Sequence, residues 1–329
     1  LACEKSGTDD KRNAKIAGVY EMKSKDVIMI FQKPELYFFP EYEEIVFSPF
    51  GVKERGAAYW IYKLLYWMHL PQCSFFWGEW EKKIPDAKKV IIFDYGYQRG
   101  MEQYIKKVNP DCEVYLFYWN IITPQRKNYK LFTEKDHIYS TDIGDCKTYG
   151  FRYQSMFYTK KYLQRENHGK KGTLFFLGAD KGRGQELCML KKKLEHAGIR
   201  CDIRLMPGKR GKKYREEIAE ICTEQPLNYT EYRKAIENHE ILLDFNQKGQ
   251  MAPSMRVMEA VFLGKKLITN NKNLKTMDFY QENNIFILPD QWDENMERKL
   301  QQFLAKPFIQ YNAEIIDQYD WEKWKDNFR

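Results

Sequence analysis

The sequence predicts an α/β protein made of two Rossmann-like units, and three observations carry that prediction. Short apolar runs alternate with longer amphipathic stretches from Asp26 onward, which is the order a parallel sheet with crossover helices requires. The alternation occurs twice, on either side of a polar, aperiodic stretch from Thr159 to Gly172. In the second series, two apolar runs end in glycine-containing loops that open helices, a geometry that points free backbone N–H groups at an anion.

Composition narrows the class. The chain has 329 residues, 43% hydrophobic and 16% aromatic, enough to fill two cores and too apolar for a disordered chain. Its 54 Lys and Arg against 46 Asp and Glu give a net charge of +8, which favours an anionic ligand or anionic membrane surface over a nucleic-acid groove. The seven cysteines, at 3, 73, 112, 146, 188, 201 and 222, are odd in number and contain no CxxC pair, which argues against a disulfide framework or a zinc site. A reducing cytoplasm suits them. No apolar run approaches the roughly 20 residues of a membrane-spanning helix, and the amino terminus has no signal-peptide core. Residues 1–21 read as a leader, tag or flexible arm without assigned chemistry.

The first unit is expected over 22–158, with strands Val27–Phe31, Ile45–Phe47, Val90–Phe93, Val114–Tyr118 and His137–Ser140 and helices Glu54–His69 and Gly100–Val108. Residues 159–172 read as linker. A second unit over 173–310 follows, with strands Thr173–Leu177, Cys201–Leu205, Ile241–Asp244, Lys265–Thr269 and Ile285–Leu288. Helices are expected at Gly184–Ala197, Tyr214–Ile221, Tyr229–Asn238 and from Pro253-Ser254 to Gly264. The segment 311–329 reads as an aromatic helix that contains Trp321 and Trp324.

Two motifs concentrate the chemistry. Gly178-Ala-Asp180-Lys181-Gly-Arg183-Gly184 leaves a strand and opens a helix, so its backbone can approach a diphosphate while Lys181 and Arg183 supply positive charge. Ile241 to Asn271 runs strand, loop, helix, strand, with Ser254 suited to cap a helix on which Arg256 and Glu259 lie one turn apart.

On these residues, PSMRVMEAVFLGKKLIT and the DKGR loop before it, the chain resembles GT-B sugar-nucleotide glycosyltransferases, and bacterial capsular and lipopolysaccharide enzymes among them. The resemblance implies that Glu259 holds the ribose hydroxyls of the nucleotide. Gly178, Asp180, Lys181, Arg183, Ser254 and Arg256 would bind the donor, with Lys181 and Arg183 at its diphosphate, Asn246 and Gln250 would face the sugar, and Tyr229 or Tyr232 would stack on the base. The resemblance also implies that the two units face a central cleft and that the last helix crosses back onto the first unit through Trp321 and Trp324. A UDP-sugar is slightly favoured, as substrate rather than cofactor. Retaining members often carry an earlier glutamate separated by seven residues from the second, and here Met251 occupies that place.

For an inverting course a base must take the acceptor proton, and Asp94, closing the VIIF strand, is the leading candidate. Asp142, Asp145 and His69 follow, and Asn120 is assigned to the acceptor. No DxD-like pair stands at a strand end, so phosphate neutralisation by Lys and Arg is expected in place of a metal. Tyr59 to Trp80 holds nine aromatics and four of the eight tryptophans, a candidate contact with a membrane beside a glycan or lipid-linked acceptor. The expected localisation is therefore cytoplasmic or peripheral at the inner membrane face. A non-catalytic partner subunit of the same fold and a sugar-nucleotide epimerase remain as alternatives.

Overall fold

The computed structural model describes residues 26–33, 37, 39, 45–52, 56–68, 74–124, 127–208 and 211–329. The residues before 26, and Glu54, His69 and Cys73, fall outside that set.

The first sheet comprises β1 (Val27–Ile30), β2 (Val46–Phe47), β3 (Lys89–Phe93), β4 (Glu113–Tyr118), β5 (Ile138–Ser140) and β6 (Arg152–Tyr153), all parallel, in the order β2-β1-β3-β4-β5-β6. Its central strands are near-continuous apolar runs because helices cover both faces of a parallel sheet. Val90, Ile91, Ile92 and Phe93 have no exposed surface. The unit's helices are α1 (Ala57–Trp67), α2 (Met101–Val108) and α3 (Ile143–Tyr149).

The second sheet contains β7 (Lys170–Ala179), β8 (Arg200–Met206), β9 (His239–Asp244), β10 (Lys266–Thr269) and β11 (Ile285–Ile287), again parallel, in the order β11-β10-β9-β7-β8. Around it lie α4 (Gly184–His196), α5 (Lys212–Glu217), α6 (Tyr229–Glu237), α7 (Met255–Phe262) and α8 (Met296–Ala305). Counted within each unit, both sheets share the order 2-1-3-4-5, which no sequence repeat discloses. In such sheets the strand order reverses between the first and third strands, and ligands bind beyond the carboxyl ends there. That rule selects the loops after β1 and β3 in one unit and after β7 and β9 in the other. Loops from the carboxyl ends of both sheets line one shared cleft. This is the GT-B architecture.

Several boundaries differ from the sequence expectation for physical reasons. The helix expected over 214–221 stops at Glu217 and tightens to a 3-10 turn at Ala219–Ile221, because Cys222 bridges to Leu205 at the edge of the sheet. Strand β7 begins at Lys170, inside the stretch read as linker, where Lys170 pairs with His239 across a register shift. Strand β6 is two exposed residues long and leaves no periodicity to detect.

The chain then continues through α9 (Ala313–Tyr319) and α10 (Trp321–Trp324). The Trp324 ring lies 4.1 Å from Phe157 and 4.9 Å from Phe117, and Trp321 lies 6.2 Å from Phe157. Lys89 Nζ donates to the Phe328 carbonyl at 2.7 Å, so this segment rests on the first sheet. Among the described residues, no helix is long and apolar enough to cross a membrane.

Candidate functional site

The shared cleft has a volume of about 460 Å³, within the range of small-molecule sites. Gly178, Lys181, Arg183, Tyr229, Asn246, Gln250, Ser254, Arg256 and Glu259 line it from the second unit, and Asn120 from the first. Of the acids singled out in the sequence, Asp94, Asp142, Asp145 and Asp180 do not line it.

The glycine loop forms one wall. After β7 the backbone turns through left-handed conformations at Lys181 (φ 45°) and Gly182 (φ 90°) before α4 begins. Lysine seldom adopts that region, at a cost of about 1–2 kcal/mol, so the turn is held by its surroundings. Asp180 does the holding: buried, it accepts from Tyr214 Oη at 2.6 Å and from the Gly184 N–H at 3.1 Å. Asp180, expected among the donor-binding residues, faces the helix start, where an acceptor is needed.

Gly178 makes room for two guanidinium groups. A Cβ there would sit 2.7 Å from Arg256 Nη2 and 2.9 Å from Arg183 Nη2. Both groups also lie against the Phe176 ring, with centres 4.6 and 5.1 Å from its centroid. Arg256 donates to Leu177 O and Ser254 Oγ, and Arg183 to Ala179 O and Phe245 O. The buried Nε atoms of both arginines lack acceptors among the described residues. Burial, then the neighbouring Arg256 charge, pulls Arg183 down to about 10. Two cations crowded together at a strand switch form a receptor for a polyanion.

Buried Asp244, at the end of β9, organises the opposite wall. Ser254 Oγ donates to it at 2.6 Å and Thr269 Oγ1 at 3.0 Å, while Arg256 lies 3.6 Å away. Ser254 in turn caps α7 by accepting from the Arg256 N–H at 3.2 Å. Glu259, one turn into α7, is 1% exposed and accepts from Tyr232 Oη at 2.7 Å. Burial raises its carboxyl to about 7, against the lowering effects of that hydrogen bond and of Arg256. Tyr232 is thus tied to Glu259. Tyr229 lines the cleft with its hydroxyl bonded to Tyr158.

From the first unit, Tyr37, Trp119, Asn120, Ile121 and Met156 close the cleft. Tyr37 and Trp119 pack at 5.7 Å between ring centroids. Burial, then the charges of Glu259 and Asp94, raise the Tyr37 hydroxyl, against the lowering effect of Arg256. Asp94 itself is buried behind Asn120, whose Nδ2 donates to it at 3.4 Å.

Asp142 has a different task from the one the sequence suggested. Its Oδ1 accepts from Gly144 N and Asp145 N at the start of α3, and its Oδ2 accepts from Met251 N and Ala252 N. Four N–H donors occupy the carboxylate, leaving it a clamp rather than a base. Asp145 accepts from the Ile122 N–H at 2.9 Å, and His69 lies outside the described residues. Among the described residues, no three His, Cys, Asp or Glu side chains cluster as a metal site would require.

Residues 189–311 match the model of a glycosyl transferase-like family, and that span contains Glu259, Arg256 and the loop before α7. No curated protein matches the chain. Among solved structures, it is similar to sucrose-phosphate synthase from Thermosynechococcus elongatus, with 11% identity and a TM-score of 0.43 over 75% of this chain and 76% of that one. A provisionally assigned UDP-N-acetylglucosamine 2-epimerase from Listeria monocytogenes shows 10% identity and a TM-score of 0.38 over 91% and 93%. A GtfA/B complex shows 13% identity and a TM-score of 0.37 over 73% of this chain. The chain spans 54% of the length of that last structure.

Proposed function

We propose that the protein is a glycosyltransferase that moves a sugar from a nucleotide-sugar, a UDP-sugar by preference, to a polysaccharide or glycolipid acceptor of the capsular or lipopolysaccharide kind. The observation that carries the proposal is the pair of guanidinium groups converging on Gly178, in a cleft that Glu259 and residues of the first unit also line. A diphosphate between Arg183 and Arg256 relieves their mutual repulsion, and Lys181 adds charge at the mouth. Glu259 accepts the ribose hydroxyls. These cations stabilise the departing nucleoside diphosphate as its bond to the sugar breaks, without a metal. Asp94 is the base assigned to the acceptor proton, with Asn120 between it and the cleft. The 3.4 Å contact between them is long, and catalytic hydrogen bonds tighten once substrate is bound.

Calorimetry against UDP, GDP, CMP, dTDP and their sugars tests the reading, followed by assay of the sugar that binds. A nucleoside diphosphate should bind and raise the melting temperature, because it binds the folded state only. Failure of all four to bind overturns the proposal. Turnover of a bound donor to a second sugar-nucleotide, without any acceptor, assigns an epimerase instead.

A further inference from the structure

We propose that the outer face of α1 docks on a bilayer surface carrying anionic headgroups, which brings a lipid-linked acceptor to the cleft. The acceptor clause rests on the transfer reading above; the docking does not.

Trp60, Ile61, Leu64, Trp67 and Met68 are 61%, 53%, 54%, 75% and 51% exposed. Spaced by three and four residues, they share one face of the helix. A water-facing helix normally carries charge there, yet residues 57–68 contain no acid and one base, Lys63. Phe75, 77% exposed, extends the patch from the next turn, where its neighbour Phe76 packs 5.7 Å from Tyr62.

The cations lie at the rim. Lys63 Nζ is 5.3 to 5.8 Å from the Tyr59, Tyr62 and Tyr66 rings, and the Arg99 guanidinium is 4.8 Å from the Tyr66 ring. Tryptophan and tyrosine with adjacent Lys or Arg match the headgroup layer, where one end of the side chain is apolar and the other wet. A second copy fits poorly. Twofold pairing of this patch would bring two copies of Lys63 and Arg99 into one interface, with no acid on α1 to offset them.

The buried side of α1 is tied to the loop after β3. Tyr62 Oη donates to Gln98 Oε1 at 2.8 Å, and Gln98 lies in the loop that leaves β3 at Asp94. Docking through α1 would therefore hold the loop that contains Asp94, the hydrogen-bond partner of Asn120.

Flotation of the full chain with phosphatidylcholine vesicles, with and without about one-third phosphatidylglycerol, tests the docking, since each cation at an anionic surface is worth about fivefold in binding. The protein should float with the anionic vesicles, less so in high salt, and its tryptophan emission should shift to the blue. Trp60→Ser with Trp67→Ser should lower the bound fraction at least about tenfold while UDP still binds. If that double variant does not fold, Lys63→Glu, which keeps the apolar face, should lower binding to anionic vesicles about tenfold. Wild-type protein that binds UDP but floats with neither vesicle overturns the docking and leaves the transfer reading standing. Undiminished flotation of the folded variants overturns it too. So does wild-type self-association in the ultracentrifuge, abolished by the double variant, in the absence of vesicle binding.

Discussion

Asp142, at the end of β5 in the first unit, accepts the backbone N–H of Met251 in the second unit at 2.8 Å, across 109 positions of sequence. The same oxygen takes the Ala252 N–H at 2.8 Å. Asn271 Nδ2 holds the Met251 and Ala252 carbonyls at 3.0 and 3.2 Å, so the peptide leading into α7 is gripped from both sides. Met251 stands where retaining relatives of the kind resembled in the sequence carry an acid. Here the position contributes its backbone to a contact between the units.

Removing that clamp should be costly. Asp142→Ala strips an acceptor from four N–H groups, two of them in the buried contact between units, and should lower stability by about 2–4 kcal/mol in denaturant unfolding. Asp142→Asn retains one oxygen for the α3 cap but sets an amide against the N–H groups of Met251 and Ala252. It should weaken nucleotide binding more than it lowers the melting temperature. An asparagine variant with wild-type nucleotide affinity would show that the clamp does not shape the donor loop.

The guanidinium pair should govern phosphate affinity. Arg183→Ala and Arg256→Ala should each weaken UDP binding by about 1–3 kcal/mol, measured by calorimetry, and affect uridine far less. Gly178→Ala should do both harms at once, because its methyl carbon would fall within 3 Å of both arginines. Equal losses for UDP and uridine would reassign the pair to structure.

Glu259 predicts a pH dependence with a definite sign. Its folded value, about 7, lies above its ordinary value of 4.5, so the native state keeps a proton that the unfolded chain has released. Stability from this group is therefore full below about pH 4.5 and declines as pH rises through 7. The loss amounts to about 3 kcal/mol if the whole shift is realised. Glu259→Gln should flatten that decline in unfolding experiments at pH 5 to 8. Ribose recognition runs the other way, since the carboxylate form accepts two hydroxyls, and uridine should bind more tightly above pH 7 than below. Equal binding of ribose and 2′,3′-dideoxyribose nucleosides would make Glu259 structural.

Asp94→Asn should bind nucleotide normally and transfer sugar about 100- to 10,000-fold more slowly, as the loss of a general base does. Near wild-type transfer with the true acceptor would remove Asp94 from the chemistry.

The contrast between Gly178 and Asp142 explains how much of the site was legible in the sequence. Strand, glycine and helix follow one another within a dozen residues around Gly178, so local periodicity and turn chemistry point to an anion loop before any tertiary contact is known. The β9–α7 segment is legible for the same reason, including Ser254 as a cap. Asp142 meets Met251, and Tyr232 meets Glu259, only because folding joins distant segments. Tyr37 enters the cleft by the shared strand order, which follows from hydrogen-bond pairing rather than from pattern. For Asp180 the sequence leaves the role open, because a carboxylate in a glycine loop suits a ligand or a helix start equally well until Gly184 N–H is seen bonded to it.

The route of the last helices carries a consequence for how the chain is made. Trp324 and Phe328 fill a surface against Phe117, and Trp321 N–H donates to the Tyr158 carbonyl while Tyr158 N–H donates to the Tyr319 carbonyl. During synthesis, residues 26–158 leave the ribosome long before their covering piece exists. That unit spends the interval with an aromatic flank open to water, a period in which wrong partners compete for it. Its completion is a late event of high contact order, so the assembly step, rather than formation of either sheet, is where a chaperone would act on this protein.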